Sequence, residues 1–354
     1  MKRLMTAAAI AFLLCARMVC SAQRGPAQEQ EVLQKARGYV AAKQLEEANE
    51  LLREYTQNHP EAVSVLVELG RVQLAQKLSD DAMRSFGAVL AVDPHEAEAQ
   101  AGEVKAAVES ALVDRSAGEN DSALSCLVEG LKLVPDSVEL LLDFGIQADG
   151  MRIYVDADKA LTHAHALQPE NAEVLYALAH VQLDEQKMPQ AEANLKVYLK
   201  MRPDDATAYY GLGHLLHMLD KEDEAKVALE RSIALQPRQT ASYYELGEIA
   251  LDAQEDAEAR AEFERVLAAD PVHGGALTGM GVIAFREKAY SEAEGYLRKA
   301  ILYAPEYVKA HQFYAMTLDR LGQKAEAKEE FAQAQSLAAK QRQTSQGYHL
   351  LTPP

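Results

Sequence analysis

The chain has no tryptophan, three cysteines among 354 residues, and thirty-six basic side chains against fifty-four acidic ones. Each shortage closes a possibility. Three cysteines cannot support a disulfide scaffold or a Cys-rich zinc module. A formal charge of −18 opposes a nucleic-acid partner held through phosphate contacts, and equally a polybasic membrane-binding face. No run of eighteen apolar residues occurs beyond the start of the chain, so the sequence predicts no transmembrane helix in the mature protein. Catalytic motifs are missing as well: there is no nucleophile elbow, no HExxH, no phosphate-cradling glycine loop and no CxxC. The expectation is therefore no enzyme, no cofactor and no resident metal. What is present, 48% apolar and 25% charged residues, is the composition of an ordinary folded chain.

Residues 1–22 place Lys2 and Arg3 before an apolar stretch from Met5 to Ala16 and finish with Cys20-Ser21-Ala22, the order of a secretory signal peptide. Cleavage is expected after Ala22, with export to a periplasm or beyond. Leu14 and Val19 precede Cys15 and Cys20, where a lipoprotein signal would carry a small residue. Losing Lys2, Arg3 and Arg17 with the tag takes the charge from −18 to −21 and leaves Cys126, expected as a half-buried helix residue, as the last cysteine.

Proline punctuates helices, and here its spacing forms a grid. Pro60, Pro94, Pro135, Pro169, Pro203, Pro237, Pro271 and Pro305 are 34 residues apart, with one interval of 41. An alanine stands twelve residues before each, from Ala48 to Ala293, and Ala327 continues the series. Between these landmarks run two apolar stripes at helical spacing, such as Leu175, Leu178, Ala179 and Leu183, then Ala191 and Leu195. Each unit thus reads as a helical hairpin. Glu61, Asp136, Glu170, Asp204 and Glu306 follow a grid proline, where a carboxylate would meet the positive end of the next helix. Gly70, Gly145, Gly213, Gly247 and Gly281 recur in the first helix and are expected to face the alanine of the second, small against small. Gly274, Gly275, Gly279 and Gly281 crowd one helix, which should make that unit the softest of the array.

These residues resemble the tetratricopeptide repeats, with a small residue at position 8, alanine at 20, a bulky apolar residue at 24 and proline at 32. Position 24 reads Leu52, Phe86, Leu127, Leu161, Leu195, Leu229, Phe263, Leu297 and Phe331. The resemblance implies an all-α, right-handed superhelical solenoid of about nine hairpins over residues 29–341, followed by a flexible tail at 342–354. The unit 97–137 is seven residues longer, about two helical turns, so its helices are expected to protrude. The ninth unit lacks its proline and ends in polar residues, as a solvating cap would.

The same resemblance implies that the first helix of every unit lines a concave groove, with positions 5, 9 and 12 facing a partner. Position 5 is Tyr176, Tyr210 and Tyr244 in three consecutive units, and position 9 beside them is His180, His214 and Glu248. Spaced roughly 8–10 Å per helix, the three rings would span about six residues of extended peptide; rings that simply pack between units are the other reading. Arg37 and Arg71, followed by Lys105, form a basic row at position 9 that could receive an acidic segment. The asparagines of the family's carboxylate-clamp members are missing here. His180, Asp184, His214 and His217 could supply zinc ligands, although exposed histidines on separate helices are ordinarily unliganded. The expected function is non-enzymatic binding of a partner polypeptide in the cell envelope. A structural or assembly subunit of a pilus, secretion, outer-membrane or polysaccharide-export apparatus is the alternative.

Overall fold

The computed structural model describes residues 27–344; the expected signal peptide and residues 345–354 lie outside them. All regular structure among the described residues is helical. Two compact units divide the chain, after Gln168. The first holds α1 (27–41), α2 (Leu45–Asn58), α3 (Val63–Ala75), α4 (Ser79–Val92), α5 (Ala97–Ala117), α6 (Asn120–Leu133), α7 (Val138–Gly150) and α8 (Tyr154–Leu167). The second holds α9 (Ala172–Asp184), α10 (Met188–Met201), α11 (Ala206–Met218), α12 (Glu222–Leu235), α13 (Thr240–Asp252), α14 (Asp256–Ala269), α15 (Gly274–Arg286), α16 (Tyr290–Tyr303), α17 (Val308–Arg320) and α18 (Lys324–Thr344). Within each unit, consecutive helices pair as hairpins and first helices touch the next first helix, as α3, α5 and α7 do, and α11, α13, α15 and α17. None of these helices is long and apolar enough to cross a membrane.

The grid governs helix ends through backbone chemistry. Each first helix stops at a residue with left-handed backbone: Lys43, Lys77, Arg152, Gln186, Asp220, Gln254 and Lys288, with φ between 55° and 64°, and Gly118 and Gly322 at 80° and 87°. These are all position 15, shifted by seven in the long unit. At α3 the Leu78 N–H donates to the Gln73 carbonyl and Lys77 N–H to Leu74, satisfying the last carbonyls in the manner of a Schellman cap. Seven of the nine turns use a residue with a Cβ where glycine is the unstrained choice. The grid proline stands two residues past the end of the second helix, where its ring blocks continuation. Capping side chains come from position 34, one residue later than the acidic residues expected to serve: Glu96, Ser137, Asn171, Asp205 and His273 each accept a backbone N–H of the first turn.

The core is built from the landmarks. The position 20 alanines from Ala48 to Ala293, and position 24 from Leu52 to Leu297, are fully buried. Phe331 is 40% exposed, because no further hairpin covers it among the described residues. The recurring glycines do not face alanine. A Cβ on Gly70 would meet the Phe86 ring, on Gly145 Leu161, on Gly213 Leu229, on Gly247 Phe263 and on Gly281 Leu297. Small therefore faces large: the bulky position 24 side chain fills the space that the missing Cβ leaves. The rings need a second gap. Gly102 of α5 lies over Phe86 and Gly279 of α15 over Phe263, both at position 6 of the following hairpin. In the glycine-rich helix, Gly275 gives way to the Tyr244 ring and Gly274 to Ala304. Those glycines admit neighbouring side chains, a packing reason absent from the sequence reading.

In the long unit only α5 is extended, to 21 residues; α6 keeps the 14 of the other second helices. The helix serves two registers. Gly102 near its start is keyed to Phe86 of the preceding hairpin. Ala111, seven residues beyond the usual position 8, packs in one cluster with Ala123 and Leu127 of its own hairpin. Cys126 is half-buried there, its thiol within 3.5 Å of the Ser110 hydroxyl.

Candidate partner-binding face

Positions 5 and 9 of the first helices carry the expected contact residues, and neighbouring hairpins have engaged most of them. Tyr176 is half-buried with its ring 5.0 Å from that of Tyr198, whose hydroxyl donates to Asp205 Oδ2 at 2.6 Å. Tyr210 is 9% exposed, belongs to the core of its hairpins and stacks on His214 at 6.2 Å. Burial pushes both phenols up to about 12, so they stay neutral donors. Tyr244 rests on Gly275, lies 4.9 Å from the His273 ring, and places its hydroxyl 3.2 Å from that of Tyr307. The three rings are chiefly inter-repeat packing; the Tyr244 hydroxyl meets that of Tyr307, and the bond to Asp205 belongs to Tyr198 beside Tyr176.

The position 9 residues are tied down as well. His214 Nδ1 pairs with Glu245 Oε1, and His217 Nδ1 stands 3.6 Å from Oε2 of the same carboxylate. Glu245, 5% exposed, is the centre of this group. Burial alone would raise its carboxyl; the hydrogen bonds from His214 and His217 outweigh that and hold it down at about 2. The same hydrogen bond raises His217. His180 stands 3.9 Å from Asp184, one turn on. Glu248 of α13 accepts from Lys309 Nζ of α17 at 2.7 Å, across α15. Its other oxygen is buried without a partner, and burial pushes its carboxyl up.

In the first unit the basic row meets acids. Arg37 pairs with Glu68 at 3.5 Å, and Arg71 lies 3.9 Å from Glu68 and 3.7 Å from Glu98. Both arginines keep most of their side chain in solvent, 66% and 60%. Between α3 and α5 runs a groove of about 630 Å³, floored by Phe86 and Gly102 and flanked by Arg71, Lys77 and Lys105.

Sequence reasoning missed Glu68, Glu245, Tyr307 and Lys309. A signal for the first two existed: each is an acid at position 6, thirty-one residues after a basic or imidazole side chain at position 9 of the preceding unit, Arg37 and His214. Lys309 lies sixty-one residues from Glu248, and no single-repeat pattern would pair them.

Tetratricopeptide repeat models match residues 39–110 and 154–216, 223–273 and 244–307, and 206–239 and 308–341, together more than half of the chain. The intervening stretch 111–153 contains the extra turns of α5. No curated protein matches. Among solved structures, PilF of Pseudomonas aeruginosa superposes with a TM-score of 0.52 at 18% identity, over 61% of this chain and 99% of that one. A chain of the APC/C hetero-tetramer Cut9–Hcn1 gives 0.53 at 15% identity, over 84% of this chain and 57% of that one. At such identities the likeness speaks for the fold. Landmark residues, hairpin geometry and matched repeats agree, and the chain belongs to the tetratricopeptide repeat family.

Proposed function

We propose that the protein is a non-enzymatic interaction module that holds a segment of another polypeptide along its first-helix face. The observation that carries this reading is the open groove between α3 and α5, where Arg71 and Lys105, each exposed by 60% or more, stand beside Glu98 and Glu109 above Gly102 and the buried Phe86. An acidic side chain or carboxylate of the partner would meet Arg71, with Arg37 extending the charge along the same face. In the second unit, Tyr176, Tyr210, Tyr244, His180, His214 and Glu248 offer a contact surface of their own through the edges that packing leaves accessible. The secretory pattern of residues 1–22 supports a partner in the periplasm or outside the cell.

Changing the three tyrosines together is a poor test, because Tyr210 is core and its loss would disturb the fold. The cleaner variant is Arg71→Glu with Lys105→Glu, both on solvent. Crosslinked pull-down from the envelope fraction should capture a partner with the parent protein and lose it with this variant, circular dichroism being unchanged. Retention of the same partners by the variant would remove the groove from the interface. Recovery only within a large, salt-resistant assembly would favour a structural subunit instead.

A further inference from the structure

At position 7 of the first helix Leu69, Leu178, Leu212 and Met280 are core residues, none more than 6% exposed, while Phe144, Leu246 and Tyr314 are half-buried there and Lys35 of the first hairpin is exposed. In α5 the residue there is Glu103. The register is secure, since Ala97 opens the helix at position 1 and Gly102 at position 6 covers Phe86 as Gly279 covers Phe263. Glu103 is 1% exposed, yet among the described residues it makes neither a hydrogen bond nor an ion pair, and Oε2 is sealed from solvent without a partner. An unpaired buried carboxyl is among the costliest groups a core can hold, and native structures rarely keep one unmatched.

The carboxyl lines a cavity of about 470 Å³ between α4 and α6. Gly87 leaves the space open, Met83 and Leu133 form apolar walls, and the exposed Asp80 and Glu129 stand at the rim. The one cation in the lining, Arg84, is engaged by Asp81; of the rim acids, Asp80 accepts from the Ser110 hydroxyl and Glu129 lies 3.9 Å from Lys132, which leaves Glu103 as the unpaired carboxyl. The unpaired carboxyl of Glu103 between apolar walls, with two further carboxyls at the rim, specifies the chemistry of an occupant. We propose that this cavity binds a small organic cation, a primary ammonium on a short alkyl chain, with the charge received by Glu103 and the chain held between Met83 and Leu133. The size falls within the range of small-ligand sites. The cavity opens on the second-helix side, so this proposal stands apart from the first-helix groove.

Burial, and then the charge of Glu129, push the Glu103 carboxyl up to about 7. Around neutral pH the empty site therefore holds a proton part of the time, and an entering ammonium must displace it. From the ionised fraction at each pH, affinity at pH 8 should be roughly tenfold that at pH 6.

The test is isothermal titration of the full chain with n-butylammonium at pH 8, with n-butanol and butyrate as neutral and anionic probes of similar shape. Saturable binding of n-butylammonium alone is expected, weakened at least tenfold in Glu103→Gln, which keeps the volume and removes the charge. Glu103→Leu, the residue type that four other hairpins carry at this position, should bind none. Tighter binding of Nα-acetyl-lysine methylamide than of n-butylammonium would assign the cation to a lysine side chain; the reverse order would assign it to a free amine. No saturable binding by the parent protein, equal binding by n-butanol, or undiminished binding by Glu103→Gln overturns the proposal.

Discussion

Helices α5 and α15 meet the hairpin before them in the same way and then part company. Each lays a position 6 glycine over a fully buried phenylalanine, Gly102 over Phe86 and Gly279 over Phe263, and each ring also fills the gap left by a position 8 glycine, Gly70 or Gly247. At the next residue α15 carries Met280 and α5 carries Glu103, equally buried. Packing geometry decides that the site is interior, but it does not decide what chemistry goes there. α15 shows what the position needs for stacking alone. The carboxyl of α5 exceeds that need, so its reason lies in the cavity beside it.

The sharpest test of the shared part is Phe86→Ala against Phe263→Ala. Each removes a ring enclosed between two glycines that cannot collapse inward, so denaturant unfolding should show losses of about 3–5 kcal/mol in both. A cost at one site far below the other would break the equivalence. Met280→Glu moves the chemistry of α5 into α15, into a cluster with Phe263, Val282 and Ile283; a loss of about 3 kcal/mol at pH 8 is expected, and less at pH 5, where the carboxyl can take a proton.

The pH profile of the parent protein tests Glu103 itself. Its folded carboxyl titrates at about 7, against roughly 4.3 in an unfolded chain. The folded state thus holds the proton more tightly. Its contribution is complete below about pH 4.3, is lost as pH rises toward 7, and changes little beyond. The difference amounts to about 4 kcal/mol at most. Glu103→Gln should flatten this limb in the difference between the two unfolding curves; an unchanged limb would assign the titration to another group. The smallest effect concerns the turns that follow the two helices. Gly118 closes α5 at φ 80° and Lys288 closes α15 at φ 63°. Lys288→Gly should stabilise by up to about 1 kcal/mol and Gly118→Ala should cost about as much, both visible as shifts of a few degrees in thermal unfolding.

Much of the fold was legible because its landmarks are steric and local. Alanine at position 20 and Leu or Phe at position 24 must fit a fixed inter-helix gap, so they recur at every turn of the grid. The glycines were legible as small residues but not in what they accommodate, since Gly102 answers to Phe86 in the previous hairpin and only the ring's size explains it. Glu103 was written in the same grid as a carboxyl among leucines, yet the extra residues of its unit obscured the register. On the binding face the sequence located Tyr176, Tyr210 and Tyr244, while the contacts that absorb their rings come from Tyr198, Gly275 and Tyr307. Such pairings depend on neighbouring hairpins, which a pattern read one repeat at a time does not contain.

The lengthened α5 has a geometric consequence. Seven residues at 100° each fall about 20° short of two full rotations, so the insert returns the helix to nearly its starting azimuth while adding about 10 Å along its axis. That is how one helix can address Phe86 with Gly102 and Ala123 with Ala111. An insert of five would swing the second set of side chains about 140° away and turn Ala111 from its partners. Growth in such an array is therefore quantised: a hairpin can be elongated in phase, by seven or by multiples close to whole turns, and remain in step with its neighbours.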